Sequence, residues 1–320
     1  MGRKERLMKC SEDGAEKARV EAYLWRPLGP ADLQAVFELE CAGEIFDDGV
    51  VELELSDLQA DWRRPGFRPE VMSVGVFAGE VLVAYATVFL GRAEALVHPL
   101  QRGKGLGAPL ARWTWEVARA EGRDRVGQTV SDNEHAAEEL FRNLGYEPTH
   151  TSWILRMELG SSEVFAPTLP AGYRVRSYQP GEDDQDLFGL IDTAFAEWRG
   201  LTSESMDFED WRVHTLDEAE PRLVVVLECE TEIVGVAICH DYGPEAEGWI
   251  EQVAVDRSHR GQGLGRALLI ECFRRFAERG RRRCGVSTDS RTGALSLYEQ
   301  VGMTVARTYR RWTKSGLSIE

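Results

Sequence analysis

A short motif that occurs twice, about half a chain apart, constrains the fold of this sequence more than any other feature. The residues RGKGLG at 102–107 return as RGQGLG at 260–265 in a chain of 320 residues. The upstream residues correspond as well, with Val97-His98-Pro99 before the first copy and Val255-Asp256-Arg257 before the second. Two copies in matching context predict that the chain contains two versions of one domain.

The sequence downstream of the motif supports the duplication and suggests domain boundaries. The segment LFRNLGY at 140–146 parallels LYEQVGM at 297–303. A stretch rich in Ser, Pro and Gly at 160–172 separates the two halves and is typical of a linker. We therefore predict domains at 21–159 and 173–314, a linker at 160–172, a flexible charged tail at 1–20 and a short tail at 315–320.

Both halves show the same order of predicted secondary structure. In the second half, apolar periodicity and turn residues predict strands at 173–176, 223–227, 233–239, 249–255, 284–288 and 304–312, and helices at 187–198, 263–279 and 292–300. The first half has corresponding strands and helices. This order predicts an α+β fold of two tandem domains, each a mostly antiparallel mixed sheet flanked by helices.

Composition excludes several classes of protein. The 54 acidic and 38 basic residues give a net charge of −16, whereas a nucleic-acid binder needs a basic face. No apolar run approaches the ~18 residues of a membrane span, and the charged N-terminus lacks the apolar middle of a secretory signal. The six cysteines form no CxxC or metal-ligand spacing. We expect a cytoplasmic protein with no metal, nucleic-acid or membrane partner.

The repeated motif has the residues of an anion-binding turn. Gly263 and Gly265 follow an apolar strand and open a helix, where free N–H groups and the helix dipole attract a phosphate or pyrophosphate. A dinucleotide-binding turn would need a different glycine spacing and a βαβ unit, and a P-loop would end in Gly-Lys-Ser/Thr. A tight strand–helix turn without a ligand stays open as the alternative.

A strand, then Arg260-x-x-Gly263-x-Gly265, then an amphipathic helix resembles motif A of the GCN5-related N-acetyltransferase (GNAT) superfamily. The second half also resembles the closing helix and strand of that family, at Asp289, Ala294, Leu295 and Tyr298-x-x-x-Gly302-Met303. The resemblance covers about 22–159 and 173–312. It is closest to the tandem two-domain type to which mycothiol synthase also belongs, and it implies two GNAT-like domains and acetyl-CoA as the cosubstrate.

The resemblance implies a set of cofactor-binding residues in the second half. Its members at the turn, whose backbone N–H groups would hold the pyrophosphate, are Arg260, Gly261, Gln262, Gly263, Leu264, Gly265 and Arg266. Peptide groups of Val253, Ala254 and Val255 would pair with the pantetheine arm as an added strand does. Ser290 completes the predicted set.

Two residues of the second half are candidates for proton transfer. The resemblance makes Tyr298 the acid that protonates the departing CoA thiolate. Glu251 is our candidate for the base that deprotonates the amine, because it lies on the strand that enters the turn, with the parity of Trp249 and Val253. A solvent-exposed strand carboxylate is the alternative for Glu251. His240, Asp241 and an ordered water are weaker candidates for the base.

The first half departs from this pattern at one decisive position. Phe141 stands where the repeat places Tyr298, and a phenyl ring cannot donate a proton. Ala93 stands opposite Glu251, with Glu94 next to it, and His135 is a weak substitute. The first domain is therefore expected to lack the chemistry, and whether it binds acetyl-CoA stays open.

The expected function is an N-acetyltransferase that moves an acetyl group from acetyl-CoA to a primary amine of a small molecule, in the C-terminal domain. One alternative is a mycothiol synthase-like acetylation of an amino-sugar thiol conjugate. Another is a non-catalytic acetyl-CoA-binding scaffold. We expect either a monomer with an internal pseudo-dimer or a homodimer.

Overall fold

The computed structural model describes residues 22–51, 53–160, 166–197, 207–217, 219–241 and 247–317. The predicted tail at 1–20 lies outside these ranges, as do 161–165 of the predicted linker. The chain divides into two compact units: described residues 22–150 and 309–317 form unit 1, and those from 151 to 308 form unit 2. No helix in the described ranges is long and apolar enough to cross a membrane.

The strands in the described ranges are β1 Leu24–Arg26, β2 Ser73–Ala78, β3 Val81–Phe89, β4 Arg92–Val97, β5 Arg125–Ser131, β6 Glu147–Glu158, β7 Tyr173–Ser177, β8 Val224–Cys229, β9 Glu232–Asp241, β10 Gly248–Val255, β11 Arg283–Asp289 and β12 Thr304–Ser315. The α-helices there are α1 Leu33–Asp48, α2 Leu55–Trp62, α3 Pro69–Met72, α4 Gly107–Ala120, α5 His135–Asn143, α6 Asp184–Ala196, α7 Phe208–Trp211, α8 Leu264–Glu278 and α9 Leu295–Gln300. Short 3₁₀ turns, Pro99–Gln101 and Arg257–His259, precede the two copies of the motif.

Unit 1 is a six-stranded sheet in the order β1-β2-β3-β4-β5-β12. Strands β4 and β5 are parallel and the other neighbours are antiparallel. Apolar residues cover both faces of the sheet. Val36 and Leu39 of α1 pack with Tyr85 on one face, and Leu106 and Leu110 at the start of α4 pack on the other.

Unit 2 has the corresponding order β6-β11-β10-β9-β8-β7, with β10 and β11 parallel. Helix α8 buries Leu264, Leu268 and Phe276 on one face of this sheet. Helix α6 buries Leu187 and Ile191 on the other. The predicted α+β fold of two tandem domains with mixed, mostly antiparallel sheets is confirmed.

Each unit is completed by a strand segment from the other half of the sequence. Residues 152–158 of β6 pair with β11 in unit 2, and residues 309–315 of β12 pair with β5 in unit 1. The units therefore change at 150/151 and 308/309, and not at the predicted boundaries of 21–159 and 173–314. The physical reason is core packing, since Leu155 is buried against the core of unit 2 and Trp312 against Phe141 in unit 1.

The end of the chain also departs from the prediction of a tail at 315–320. Ser315 is the last residue of β12, and Leu317 is buried in unit 1, where its N–H donates to the carbonyl of Asp124 at 2.9 Å. Residues 318–320 lie outside the described ranges.

Candidate functional site

The centre of unit 2 is a gap that opens between the two parallel strands. Register pairs between β10 and β11 end at Ile250 and Val286. Strand β10 carries an irregularity between Ile250 and Gln252, where Glu251 has no partner in the register with β9. A bulge of this kind bends a strand and re-aims its side chains. In the register with β9, Val253 and Val255 lie opposite Ala237 and Gly235, and the other side of β10 borders the gap.

The bulge also changes which side chains share a face. Ile250, Val253 and Val255 all contact the core under α8, although Ile250 and Val253 are three residues apart. Gln252 instead accepts a hydrogen bond from Nε1 of Trp211 at 3.2 Å. The predicted common parity of Trp249, Glu251, Val253 and Val255 is thus wrong, because the extra residue shifts the alternation.

The glycine-rich turn of unit 2 presents free donors at the start of α8. Gly261 and Gly263 have φ values of +78° and +79°, which favour glycine. The N–H groups of Gly263, Leu264, Gly265 and Arg266 have no acceptor within the described ranges. Unbonded N–H groups at a helix N-terminus favour an anion. Binding of a pyrophosphate at these groups stays a prediction.

Side chains around the turn hold it in place. Nε of Arg260 donates to the carbonyl of Val255 at 2.8 Å, and its Nη1 donates to Glu197 at 2.7 Å. The guanidinium of Arg260 therefore braces the turn against α6 and β10, and leaves anion binding to the backbone. A Cβ on Gly265 would lie 3.3 Å from Leu297, so the small residue lets α8 approach α9.

Tyr298 reaches the gap from α9. Its side chain is 7% exposed, and its ring packs in the core under α8. Burial, and secondarily the nearby thiol of Cys272, raises the pKa of Tyr298 to about 12. Its hydroxyl has no hydrogen-bond partner in the part of the chain that the structure describes. The hydroxyl is thus protonated at neutral pH and available to a ligand.

Glu251 is at the bulge of β10. It is exposed, and its Oε2 accepts a hydrogen bond from Nε1 of Trp249 at 3.1 Å. Glu251 and Tyr298 line one cleft of about 200 Å³. The other residues that line the cleft are Ser152, Phe195, Val253, Val286, Ser287, Thr288, Asp289, Thr292 and Ala294. A carboxylate and a phenol at one cleft can serve as a base and an acid.

The remaining predicted site residues lie elsewhere. Ser290 exchanges hydrogen bonds with the backbone of Thr151, at 2.8 and 3.2 Å, and is not among the residues that line the cleft. Asp241 forms an ion pair with Arg279 at 2.7 Å. His240 is buried at the end of β9 and does not line the cleft. Within the described ranges, no group of three or more His, Cys, Asp or Glu side chains is placed to hold a metal ion.

Most of the lining residues were not selected as site residues from the sequence, and two of them, Ser152 and Phe195, lie outside the segment from β10 to α9. Ser152 enters from β6, which follows the first copy of the repeat, so no signal within the second copy could identify it. Phe195 belongs to the apolar stripe predicted for α6, and contacts the core cluster that includes Trp211. A stripe of this kind is ordinarily read as core, and only its position at the end of α6 brings Phe195 to the cleft.

Unit 1 has an equivalent turn. Gly103 and Gly105 have φ values of +75° and +85°. The N–H groups of Leu106 and Gly107 have no acceptor in the described part of the chain. Arg102 forms a two-pronged ion pair with Asp47, both oxygen–nitrogen distances being 2.6 Å. The turn of unit 1 is therefore braced against α1 as that of unit 2 is braced against α6.

The position equivalent to Tyr298 is an apolar core position in unit 1. Phe141 is 4% exposed, and its ring lies 4.7 Å from that of Tyr146 and 6.1 Å from that of Trp312. The hydroxyl of Tyr146 accepts hydrogen bonds from Trp115 at 2.7 Å and from Gln128 at 3.0 Å. The polar groups of these side chains are hydrogen-bonded to one another, so none presents a free hydroxyl as Tyr298 does.

A titratable pair lies under α1 in unit 1. The hydroxyl of Tyr85 donates to the carboxylate of Glu40, and Tyr85 is 1% exposed. Burial raises the pKa of Glu40 to about 7, against the lowering effect of the Tyr85 hydrogen bond. The carboxylates of Glu94, Glu44 and Glu134 raise it further. His135, the first residue of α5, is exposed and forms no part of this pair.

Comparison with known proteins agrees with the duplicated architecture. The family model described as the acetyltransferase (GNAT) family matches the chain twice, at 33–146 and 186–303. A mycothiol acetyltransferase of Streptomyces avermitilis is 28% identical over 294 residues, covering 88% of this chain and 91% of that protein. One from Thermobispora bispora is 29% identical over 300 residues, covering 89% and 94%.

A solved structure gives the same relationship in three dimensions. The GCN5-related N-acetyltransferase from Sphaerobacter thermophilus superposes with a TM-score of 0.79 at 28% identity. The match covers 93% of this chain and 97% of that chain.

Proposed function

The chain belongs to the GNAT acetyltransferase family, and from that premise we propose that it transfers the acetyl group of acetyl-CoA to a primary amine of a small molecule, in unit 2. One observation carries the proposal. The free hydroxyl of Tyr298 and the carboxylate of Glu251 line the same cleft, at the gap beside the anion-binding turn. Unit 1 has the turn but places Phe141 where the acid would be.

The residues of unit 2 fit acetyl-CoA at two places. The free N–H groups from Gly263 to Arg266 suit its pyrophosphate. The edge of β10 at Val253 and Val255, beside the gap, suits an extended pantetheine arm, which would pair as an added strand. Arg260 and Gln262 shape the turn through their own hydrogen bonds. A contact between Ser290 and the cofactor stays a prediction.

The chemistry needs a neutral amine and a stabilised leaving group. Glu251 takes a proton from the ammonium, directly or through water, so that the amine nitrogen can attack the thioester carbon. A backbone N–H at the gap meets the oxygen that becomes negative. The Tyr298 hydroxyl then donates to the sulfur as the carbon–sulfur bond breaks, and the thiolate or solvent takes up the second proton that the nitrogen releases as the amide forms. The high pKa of Tyr298 means that it acts chiefly as a hydrogen-bond donor to the thiolate.

A CoA-release assay over a panel of amines tests the proposal. The panel contains polyamines, aminoglycosides, amino acids, peptides and an amino-sugar thiol conjugate. The expected result is CoA release that needs one class of amine and yields an N-acetylated product by mass spectrometry. Absence of turnover with every class, from protein that is folded and binds CoA, would favour the scaffold alternative.

A second candidate concerns the acceptor. The two curated relatives above are named mycothiol acetyltransferases and align over nearly their whole length. This favours acetylation of an amino-sugar thiol conjugate over other amines. Its test is the same panel, in which kcat/KM for the conjugate should exceed that for each simple amine.

A further inference from the structure

A contact from outside the motif reaches the anion-binding turn of unit 2. The hydroxyl of Tyr173, the first residue of β7, lies 2.9 Å from Nδ1 of His259 and donates to Oε1 of Gln262 at 3.4 Å. The rings of Tyr173 and His259 meet edge to face, with centroids 5.8 Å apart and planes at 85°. A half-buried tyrosine thus contacts residues on both sides of Arg260, although it lies 86 residues from His259 in sequence.

The two glycines of the turn have few steric neighbours of their own. Nothing lies within 4 Å of a Cβ built on Gly261 or Gly263, and both residues occupy the region that glycine adopts freely. Arg260 anchors the turn on the side of α6. Tyr173 contacts the turn from β7 instead. The orientation of the free N–H groups that follow therefore depends on anchors at both sides.

The same arrangement recurs in unit 1 with different chemistry at the turn. Tyr23 stands just before β1, and its hydroxyl donates to Oε1 of Gln101 at 3.4 Å. Gln101 occupies the repeat position of His259, and Lys104, at the position of Gln262, also donates to Gln101, at 2.7 Å. The partner residue has changed between the units while the tyrosine contact has been kept. The bracing of the turn is therefore the shared feature, and not an imidazole.

We propose that Tyr173 is a positioning residue for the cosubstrate, which acts through His259 and Gln262 to hold the turn in the orientation that binds a pyrophosphate. This inference rests on the proposed function of the turn. Tyr173 serves only the phosphate end of the donor and takes no part in proton transfer at Glu251 or Tyr298.

The test compares two thioester donors with the full-length Tyr173→Phe variant, using the best acceptor of the amine panel. Acetyl-CoA carries the pyrophosphate, and acetyl-pantetheine does not. We expect KM for acetyl-CoA to rise about fivefold, the factor typical of one hydrogen bond, with kcat unchanged. The kinetics with acetyl-pantetheine should equal those of the parent.

Two further variants separate positioning from general stability. Tyr178→Phe removes a hydroxyl that donates to Asp184 at 2.6 Å, just beyond β7, and should leave both donors unaffected. His259→Leu removes the other half of the contact and should raise KM for acetyl-CoA by a similar factor, with no further rise when combined with Tyr173→Phe.

Three outcomes would overturn the inference. An unchanged KM for acetyl-CoA in Tyr173→Phe removes the bracing role. An equal loss with both donors, or additive effects of Tyr173→Phe and His259→Leu, makes the contact merely structural. The proposed function fails separately, and is recognised by a parent protein that turns over no amine with either donor. In that case, a parent protein that does not bind CoA in calorimetry overturns both the proposed function and the inference. Equal affinities of the parent and of Tyr173→Phe for CoA overturn the inference.

Discussion

Replacing Tyr298 by phenylalanine removes one hydroxyl from the cleft of unit 2 and keeps the ring in place. The ring is 7% exposed and packs in the core under α8, so the fold keeps its apolar contacts. The hydroxyl has no hydrogen-bond partner within the described ranges, so its removal breaks no bond. We expect the free energy of unfolding to change by no more than about 0.5 kcal/mol.

The rate should fall much more than the stability. A positioned acid typically contributes about 10²–10⁴-fold. The pKa of Tyr298 is about 12, whereas a thiol has a pKa near ~8.5. Complete proton transfer is therefore uphill, and the hydroxyl stabilises the thiolate mainly through a hydrogen bond. This places the expected loss of kcat near ~10²-fold, or about 3 kcal/mol of the barrier.

The assay is CoA release at saturating acetyl-CoA, with thermal unfolding measured on the same samples. The loss should be constant between about pH 6 and pH 9, because a group with a pKa of about 12 stays protonated there. Tyr146→Phe is the matched contrast, since that hydroxyl accepts two hydrogen bonds in unit 1 and should cost stability without slowing turnover. A fully active Tyr298→Phe variant, with every acceptor and at every pH, would refute the reasoning.

Four other changes have definite expected outcomes. Gly263→Asp places a carboxylate at a φ of +79° beside the free N–H groups, so calorimetric affinity for CoA should fall by about tenfold or more. Glu251→Gln should slow turnover near neutral pH, and its rate should recover at high pH, where free amine is abundant. A pH–rate profile that superposes on that of the parent would exclude Glu251 as the base. Phe141→Ala should lower the free energy of unfolding by ~3–5 kcal/mol in chemical denaturation and spare catalysis in unit 2. The pKa of Glu40 is raised to about 7 in the fold, so its share of stability is full below pH ~4.5 and is lost as pH rises to about 7. The free energy of unfolding of Glu40→Gln should therefore rise by about 2 kcal/mol relative to that of the parent between pH 5 and pH 8. The same pH dependence of unfolding in variant and parent would contradict this.

Features that depend on neighbouring residues were predictable from the sequence. The helix predicted at 263–279 is α8, Leu264–Glu278, within one residue at each end, because glycines open it and its apolar stripe has helical periodicity. The repeat located both turns, and their glycines have the positive φ that the motif requires. The substitution of Phe141 at the repeat position of Tyr298 was likewise visible in the sequence. Helices α2 and α3 were not predicted. Each is short and buries one side chain, Leu58 or Met72, so its sequence shows little periodicity.

The cleft itself was decided by contacts between segments that are far apart in sequence. The bulge at Glu251 is defined against β9, and the gap beside it depends on where pairing with β11 ends. The same holds for Ser152 from β6 and for Tyr173 from β7. A motif specifies backbone conformation over a few residues, whereas strand exchange, bulges and braces are selected by which side chains fill a core together. The sequence alone therefore determined the duplicated fold and its glycine-rich turns, and only the tertiary structure brought Glu251 and Tyr298 to one cleft.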